Sequence, residues 1–359
     1  MDYILILFIA CILYKSHLNL NDEYLDYMDR ESTIPLRGIF AILIIFHHIS
    51  QRTSCGNIFK TLSYFGFLNV SIFFTLSGYG LLHQYKNKGK KYLDDFLSKR
   101  FTSILIPYVI ISFLYFILRN VLDIKTNVKD VFLGLINGAP IVSFSWYVLA
   151  LCYFYLLFLI SCKLFNKNFQ LLLSVFLGTC LYCLFCYLRG FNVWWYNSIF
   201  SFLFGLLYYF YKVKPNFKLQ KLNIYLKILI VLFSFIFCFG ACHLLNIKVL
   251  RLFFEEASSC LFSLLVLTIC RKIKVNNKLL NYLGTRSYEI YLAQEIPILI
   301  FRSKSLLFIN NDIIYSLLII FISIILAEVL YRLDSFLINK FKILLDKKKF
   351  NSIMPNQLT

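Results

Sequence analysis

Ten apolar stretches, each about as long as a lipid bilayer is thick, follow one another along this chain and leave little room for any other architecture. They run near 37–54, 61–82, 101–119, 146–162, 169–188, 196–211, 224–243, 253–270, 282–301 and 313–330. A membrane-crossing helix needs roughly twenty mostly apolar residues, about seventeen at the short end. A further apolar run from Tyr3 to Tyr14 is short for a crossing and reads as an eleventh helix or a re-entrant anchor. Only 15% of the residues are charged and 60% are apolar, whereas soluble domains carry about a quarter charged. One water-soluble core cannot hide so much apolar surface. The expected fold is therefore an all-α, polytopic membrane helix bundle of about ten core helices, with residues 3–14 as a possible extra one. The lipid bilayer is its first partner.

A net charge of +19 raises the question of nucleic acid, but the placement of the charges answers it. Lys and Arg cluster in the short connections between apolar runs. Alternate connections hold 25 and 10 of them, with Lys227 and Arg286 just inside spans. Such a bias puts the richer set (15–37, 83–100, 163–168, 212–223, 271–280 and 331–359) on the cytoplasmic side. Membrane orientation accounts for the charge, and a nucleic-acid partner is not expected.

The polar N-terminal portion, residues 1–34, reads as a short apolar helix and a surface segment, and residues 331–359 read as a basic cytoplasmic tail. Asp2 stands where a signal peptide would carry positive charge, and no small-x-small cleavage site follows the first apolar run. Eleven cysteines lie mostly inside apolar runs. Cys180, Cys183 and Cys186 have helical spacing, yet no fourth ligand is near, so packing is expected rather than a metal site. No internal repeat of the transporter kind is visible. Nothing in the sequence speaks to oligomeric state.

Ionisable residues inside a span are costly and mark function by default. His47 and His48 lie deep in RGIFAILIIFHHIS, which Arg37 opens. Eleven residues separate Arg37 from His48, about 16 Å of helix and about 20° past three full turns. The two therefore share a face, with His48 near mid-membrane and His47 turned about 80° away. Gly38 and Ala41 allow a neighbouring helix to come close. Chemically, His48 is placed to act as general base on an acceptor hydroxyl, and Arg37 to meet an anion at the mouth of the same groove. The competing reading is a hydrogen-bonded histidine pair that only joins helices.

A second polar set, Glu289, Gln294 and Glu295, follows Tyr288 in SYEIYLAQEIP, and Gln294 is expected at a depth close to that of His48. Glu255 and Glu256 enter their span from the outer side, where a vestibule for the acceptor or a plain interface are equally good readings. Ser77 in FFTLSGYG has no base near it in sequence, and Ser-Gly more often serves tight helix packing. Trp146 and Tyr147 open a span at the outer interface, where aromatic anchors are usual.

Five segments, in order, resemble the acyltransferase 3 family of bacterial membrane O-acyltransferases: Arg37-Gly38 with His48 after it, FFTLSGYG at 73–80, Lys99-Arg100 leading to Pro107-Tyr108, Trp146-Tyr147, and Ser287-Tyr288 with Ile290-Tyr291-Leu292. The resemblance covers about 35–330 and implies a ten-helix catalytic domain there. It implies that the protein sits in the bacterial cytoplasmic membrane. It implies acyl-CoA, usually acetyl-CoA, as co-substrate with no bound cofactor or metal, and a hydroxyl of a cell-envelope or exported glycan or glycolipid as acceptor. Arg37 and His48 then fall on the family's essential pair, Arg100 and Lys99 on its basic donor side, and Trp146, Tyr147, Glu255 and Glu256 toward the acceptor. Two positions depart from the pattern: Ile34 replaces an aspartate, and Gln294 replaces a histidine that closes the fifth segment. Glutamine orients by hydrogen bonds but does not shuttle protons. The rival class is a transporter or flippase for a lipid-linked glycan or metabolite, which would move its substrate without acyl-CoA. An inactive scaffold is the third.

Overall fold

A computed structural model describes residues 1–122, 124–213, 222–303 and 306–353, the last stretch without side chains beyond 341. The helices are α1 (Asp2–Leu13), α2 (Arg30–Ser50), α3 (Asn57–Thr61), α4 (Gly66–Lys88), α5 (Lys91–Asp94), α6 (Phe96–Val121), α7 (Val128–Ile136) and α8 (Trp146–Leu164). They continue with α9 (Asn168–Leu188), α10 (Phe200–Val213), α11 (Ile224–Leu244), α12 (Lys248–Cys270), α13 (Lys278–Thr285), α14 (Ser287–Ala293), α15 (Glu295–Phe301) and α16 (Asp312–Ile353). Among the described residues seven of these are long and apolar enough to cross a membrane, and the bent pair 57–64 and 66–88 makes an eighth. Their outer faces are apolar, as Phe113 on α6, Leu181 on α9 and Phe233 on α11 illustrate, all well exposed. Such surfaces match lipid rather than water. The all-α membrane bundle expected from the apolar runs is the observed fold.

Two of the ten expected spans take another form. The run at 196–211 begins its helix only at Phe200, because the Glu256 carboxylate accepts the free N–H groups of Ile199 and Phe200, both at 3.1 Å. Those are first-turn donors with no partner inside the helix. The run at 282–301 is divided into α13, α14 and α15, with interruptions at Arg286 and Gln294. Pro297 has no N–H to bond back to Ala293, which weakens the ladder at the second interruption. The first span also starts earlier than expected. Residues 30–34, the end of the expected surface segment, form the opening turn of α2, and Pro35 lies inside that helix. Likewise the boundary at 330 falls within α16, which continues to Ile353.

Close backbone approach explains the glycines near Arg37. A Cβ on Gly38 would overlap the carbonyl oxygen of Leu280, and one on Gly284 that of Ile34. Helix α13 therefore lies directly on α2. The same device joins α4 to α10, where Gly78 faces the carbonyl of Phe202 and Gly205 that of Thr75. Between them α4, α8 and α10 bury an aromatic core in which Phe154 stacks on Phe202 with ring centroids 5.1 Å apart.

The connections sort to two ends. At the Arg37 end, β1 (Ser16–Leu18) pairs antiparallel with β2 (Ile273–Val275). Lys274 holds Asp26 at 2.5 Å, which lowers the Asp26 carboxyl and raises the lysine. Lys86 donates to Asn168 at 2.6 Å, bringing the 83–100 and 163–168 connections together. At the opposite end lie residues 51–60, the short strands β3 (Arg302–Ser303) and β4 (Leu307–Phe308), and the start of α16. Helix α1 runs from one end to the other. Asp2 accepts the N–H of Phe59 at 2.8 Å, and the Cys11 carbonyl accepts from Asn277 at 2.8 Å.

Candidate active site

A cavity of about 670 Å³ opens at the Arg37 end between α2, α4, α6, α8 and α14. Arg37, Ser77, Arg100, Tyr147, Tyr288 and Glu289 all line it. Six residues singled out from separate segments of the sequence thus meet at one site. Arg30 stands at its mouth, so three guanidinium groups face one lining carboxyl, that of Glu289. Arg100 donates to the Tyr92 hydroxyl through Nε at 3.2 Å and Nη2 at 2.8 Å. The Tyr288 hydroxyl donates to the Ile104 carbonyl at 2.8 Å, tying α14 to α6. Glu289 hydrogen-bonds the carboxyl of Asp334 on α16, and Ser77 lies against the Tyr147 hydroxyl. Arg37 makes no ion pair among the described residues. A guanidinium partly withdrawn from water and left unpaired is costly, so the cavity is built to receive an anion.

Ile44, seven residues beyond Arg37, also lines the cavity, and His48 follows one turn later on the same helix face. His48 itself is outside the lining. Its ring stacks on Phe144 with centroids 3.6 Å apart and planes 10° from parallel. Its buried Nδ1 has no hydrogen-bond partner among the described residues. His47 differs in every respect. Its Nδ1 donates to the Leu62 carbonyl at 3.1 Å, which leaves Nε2 to accept from Gln51 at 3.1 Å. Both nitrogens are spent on helix connections. Of the two histidines, only His48 keeps an uncommitted ring nitrogen.

Phe144 is itself fixed from two sides. Its N–H donates to the Glu295 carboxylate at 3.4 Å, and its carbonyl accepts from the Tyr291 hydroxyl. Tyr291 also lines the cavity. Glu295, expected only as a member of the second polar set, bonds here to the backbone of Phe144, the residue stacked on His48. Gln294 is fully buried; its Nε2 donates to the Tyr291 carbonyl at 3.1 Å, and its Oε1 has no partner among the described residues.

Four expected site residues are elsewhere. Lys99 is exposed and paired with Asp95 at 3.1 Å. Trp146 is packed into the aromatic core against Phe74 and Trp195. Glu256 spends both oxygens on capping α10, and Glu255 pairs with Arg251 at 3.0 Å. None of the four lines the cavity, and capping the next helix is the physical reason Glu256 is buried. Reading along the sequence passed over Phe144 and gave Tyr291 no role of its own. Phe144 lies in the irregular stretch before α8, where no periodicity marks a residue.

Residues 35–332 match the family model described as an acyltransferase domain, Acyl_transf_3. No curated protein and no solved structure matches the chain. With that match spanning most of its length, the chain belongs to the acyltransferase 3 family and is a membrane acyltransferase.

Proposed function

We propose that the protein transfers an acyl group, acetyl in the usual case, from acyl-CoA to a hydroxyl of a cell-envelope or exported glycan, with His48 as general base. The observation that carries this reading is the unpaired Arg37 in a cavity with a threefold excess of guanidinium over carboxyl groups. Phosphates of a CoA carrier are the anions such a cavity suits. The end at which it opens is the lysine- and arginine-rich one, so the positive-inside bias places it in the cytoplasm, where acyl-CoA is made. The setting is then the bacterial cytoplasmic membrane.

The chemistry follows from the free ring nitrogen. With the thioester extended past Ile44, His48 Nδ1 takes the proton of the acceptor hydroxyl. The oxygen attacks the thioester carbonyl carbon, the C–S bond breaks, and the imidazolium returns its proton to the departing thiolate. Arg37 holds the donor and is not a proton carrier, since arginine stays charged. The stacked rings of Phe144 and His48 lie outside the cavity lining, and in this reading they form a layer that favours a relay of an acyl group over passage of a whole substrate. A transporter would need the layer to open for a glycan.

Mass spectrometry of surface glycans from cells with and without the protein tests the reading. An acyl-sized mass difference, dependent on His48, is expected. Unchanged glycans together with substrate movement in the absence of acyl-CoA would contradict it.

A further inference from the structure

A second cavity, of about 620 Å³, lies at the far end of α2 and is lined by Gln51, Arg52, Arg302, Phe308, Asn310 and Asn311 among others. Arg52 is four residues beyond His48, in the turn that ends α2, where its N–H donates to the Ile49 carbonyl at 2.9 Å. This cavity therefore lies at the end of α2 that carries His48, away from the arginine-lined cavity.

The charges in this second cavity do not cancel. Arg302 Nη2 donates to Asp312 Oδ1 at 2.5 Å and to the Arg52 carbonyl at 3.2 Å. Asp312 Oδ2 accepts from the Ser54 N–H at 2.9 Å, the Ser54 hydroxyl at 3.2 Å and the Cys55 N–H at 3.1 Å. Arg302 and Asp312 therefore neutralise one another and stitch the 51–55 loop to α16. Arg52 is left exposed, without an ion pair among the described residues. Glu295 lies inward of it, outside ion-pair distance. Asn311 Oδ1 caps α16 through Ile313 and Ile314 N–H at 2.9 and 3.1 Å, and its amide N–H₂ has no acceptor among the described residues. Phe308 offers a half-exposed ring.

An aromatic face, amide donors and one free guanidinium together suit a sugar that carries an acidic group: its C–H face on the ring, its hydroxyls on the amides, its anion on Arg52. We propose that this cavity is the acceptor subsite and that its occupant is a hydroxyl compound bearing a carboxylate or phosphate, anchored by Arg52. The inference rests on the reading of His48 as base, and it moves the acceptor side away from Glu255 and Glu256.

Cys55 lines the cavity and is exposed, so its rate of labelling by a membrane-impermeant maleimide reports occupancy without reference to catalysis. The reconstituted full chain would be labelled with trigalacturonate, with neutral galactotriose, and in vesicles where phosphatidylglycerol replaces phosphatidylcholine. Trigalacturonate is expected to slow labelling roughly tenfold at a concentration where galactotriose does nothing, and Arg52→Gln to remove that protection. Protection by phosphatidylglycerol alone would assign the anion to a lipid headgroup, again lost in Arg52→Gln. Equal protection by galactotriose, protection that survives Arg52→Gln, or none from either anion overturns the inference. His48→Ala separates the two readings. Protection with lost acyl transfer supports both, protection with full transfer overturns the base alone, and lost transfer without protection in any variant overturns the subsite alone.

Discussion

Arg37, Ile44 and His48 share one face of α2; the first two line the cavity, and beyond it Phe144 covers the His48 ring. The first part was legible, because an eleven-residue spacing fixes a shared face by helix geometry alone. The cover was not. Phe144 reaches His48 from a connection about a hundred residues away, through bonds from Glu295 and Tyr291 that no local pattern encodes. Arg52 could have been found, since it follows His48 by only four residues. The Phe144 layer leads to a prediction. Phe144→Ala should let water reach the acyl group, raising acyl-CoA hydrolysis several-fold while transfer to acceptor falls; Phe144→Tyr should keep most of the transfer. Free CoA release measured beside acyl transfer checks this, and an unchanged ratio in Phe144→Ala would remove the layer from the account.

Eight of the ten expected spans appear as crossing helices, in the expected order, because apolar length is a direct signal of a span. Interruptions were not readable, since they depend on partners. Helix α10 starts where it does through Glu256, a residue of another helix, and the α13–α15 run is divided at two polar residues, Arg286 and Gln294. Gly38 was expected to admit a neighbour, and α13 is that neighbour. Gly38→Val should accordingly force α13 off α2, at a cost of about 1–3 kcal/mol from overpacking, and disturb Arg37 beside it. Gly80 is a fair control, as nothing lies within 4 Å of a Cβ built there. Gly80→Ala should be neutral or slightly stabilising through helix propensity. Thermal unfolding of the detergent-solubilised variants compares the two, and equal melting temperatures would show that the α2–α13 contact is not tight.

At the scale of the molecule, counting Lys and Arg in alternate connections anticipated which loops share an end, and the contacts between those loops agree. Which end faces the cytoplasm follows from the same charges. In a Cys55→Ser background, Asn310→Cys should be labelled by an impermeant maleimide on intact cells and Lys90→Cys only after permeabilisation; the reverse pattern would invert the orientation. In the proposed account the arginine cavity, the unpartnered His48 Nδ1 and the second pocket at the end of α2 make a path on which an acyl group changes carriers at His48. The most direct test is transfer of radiolabel from acetyl-CoA into the envelope fraction of membranes carrying wild type, His48→Ala or His47→Ala at equal protein levels. The account predicts a loss of at least about a hundredfold for His48→Ala and substantial retained transfer for His47→Ala, whose ring only joins helices. Wild-type transfer by His48→Ala would contradict it.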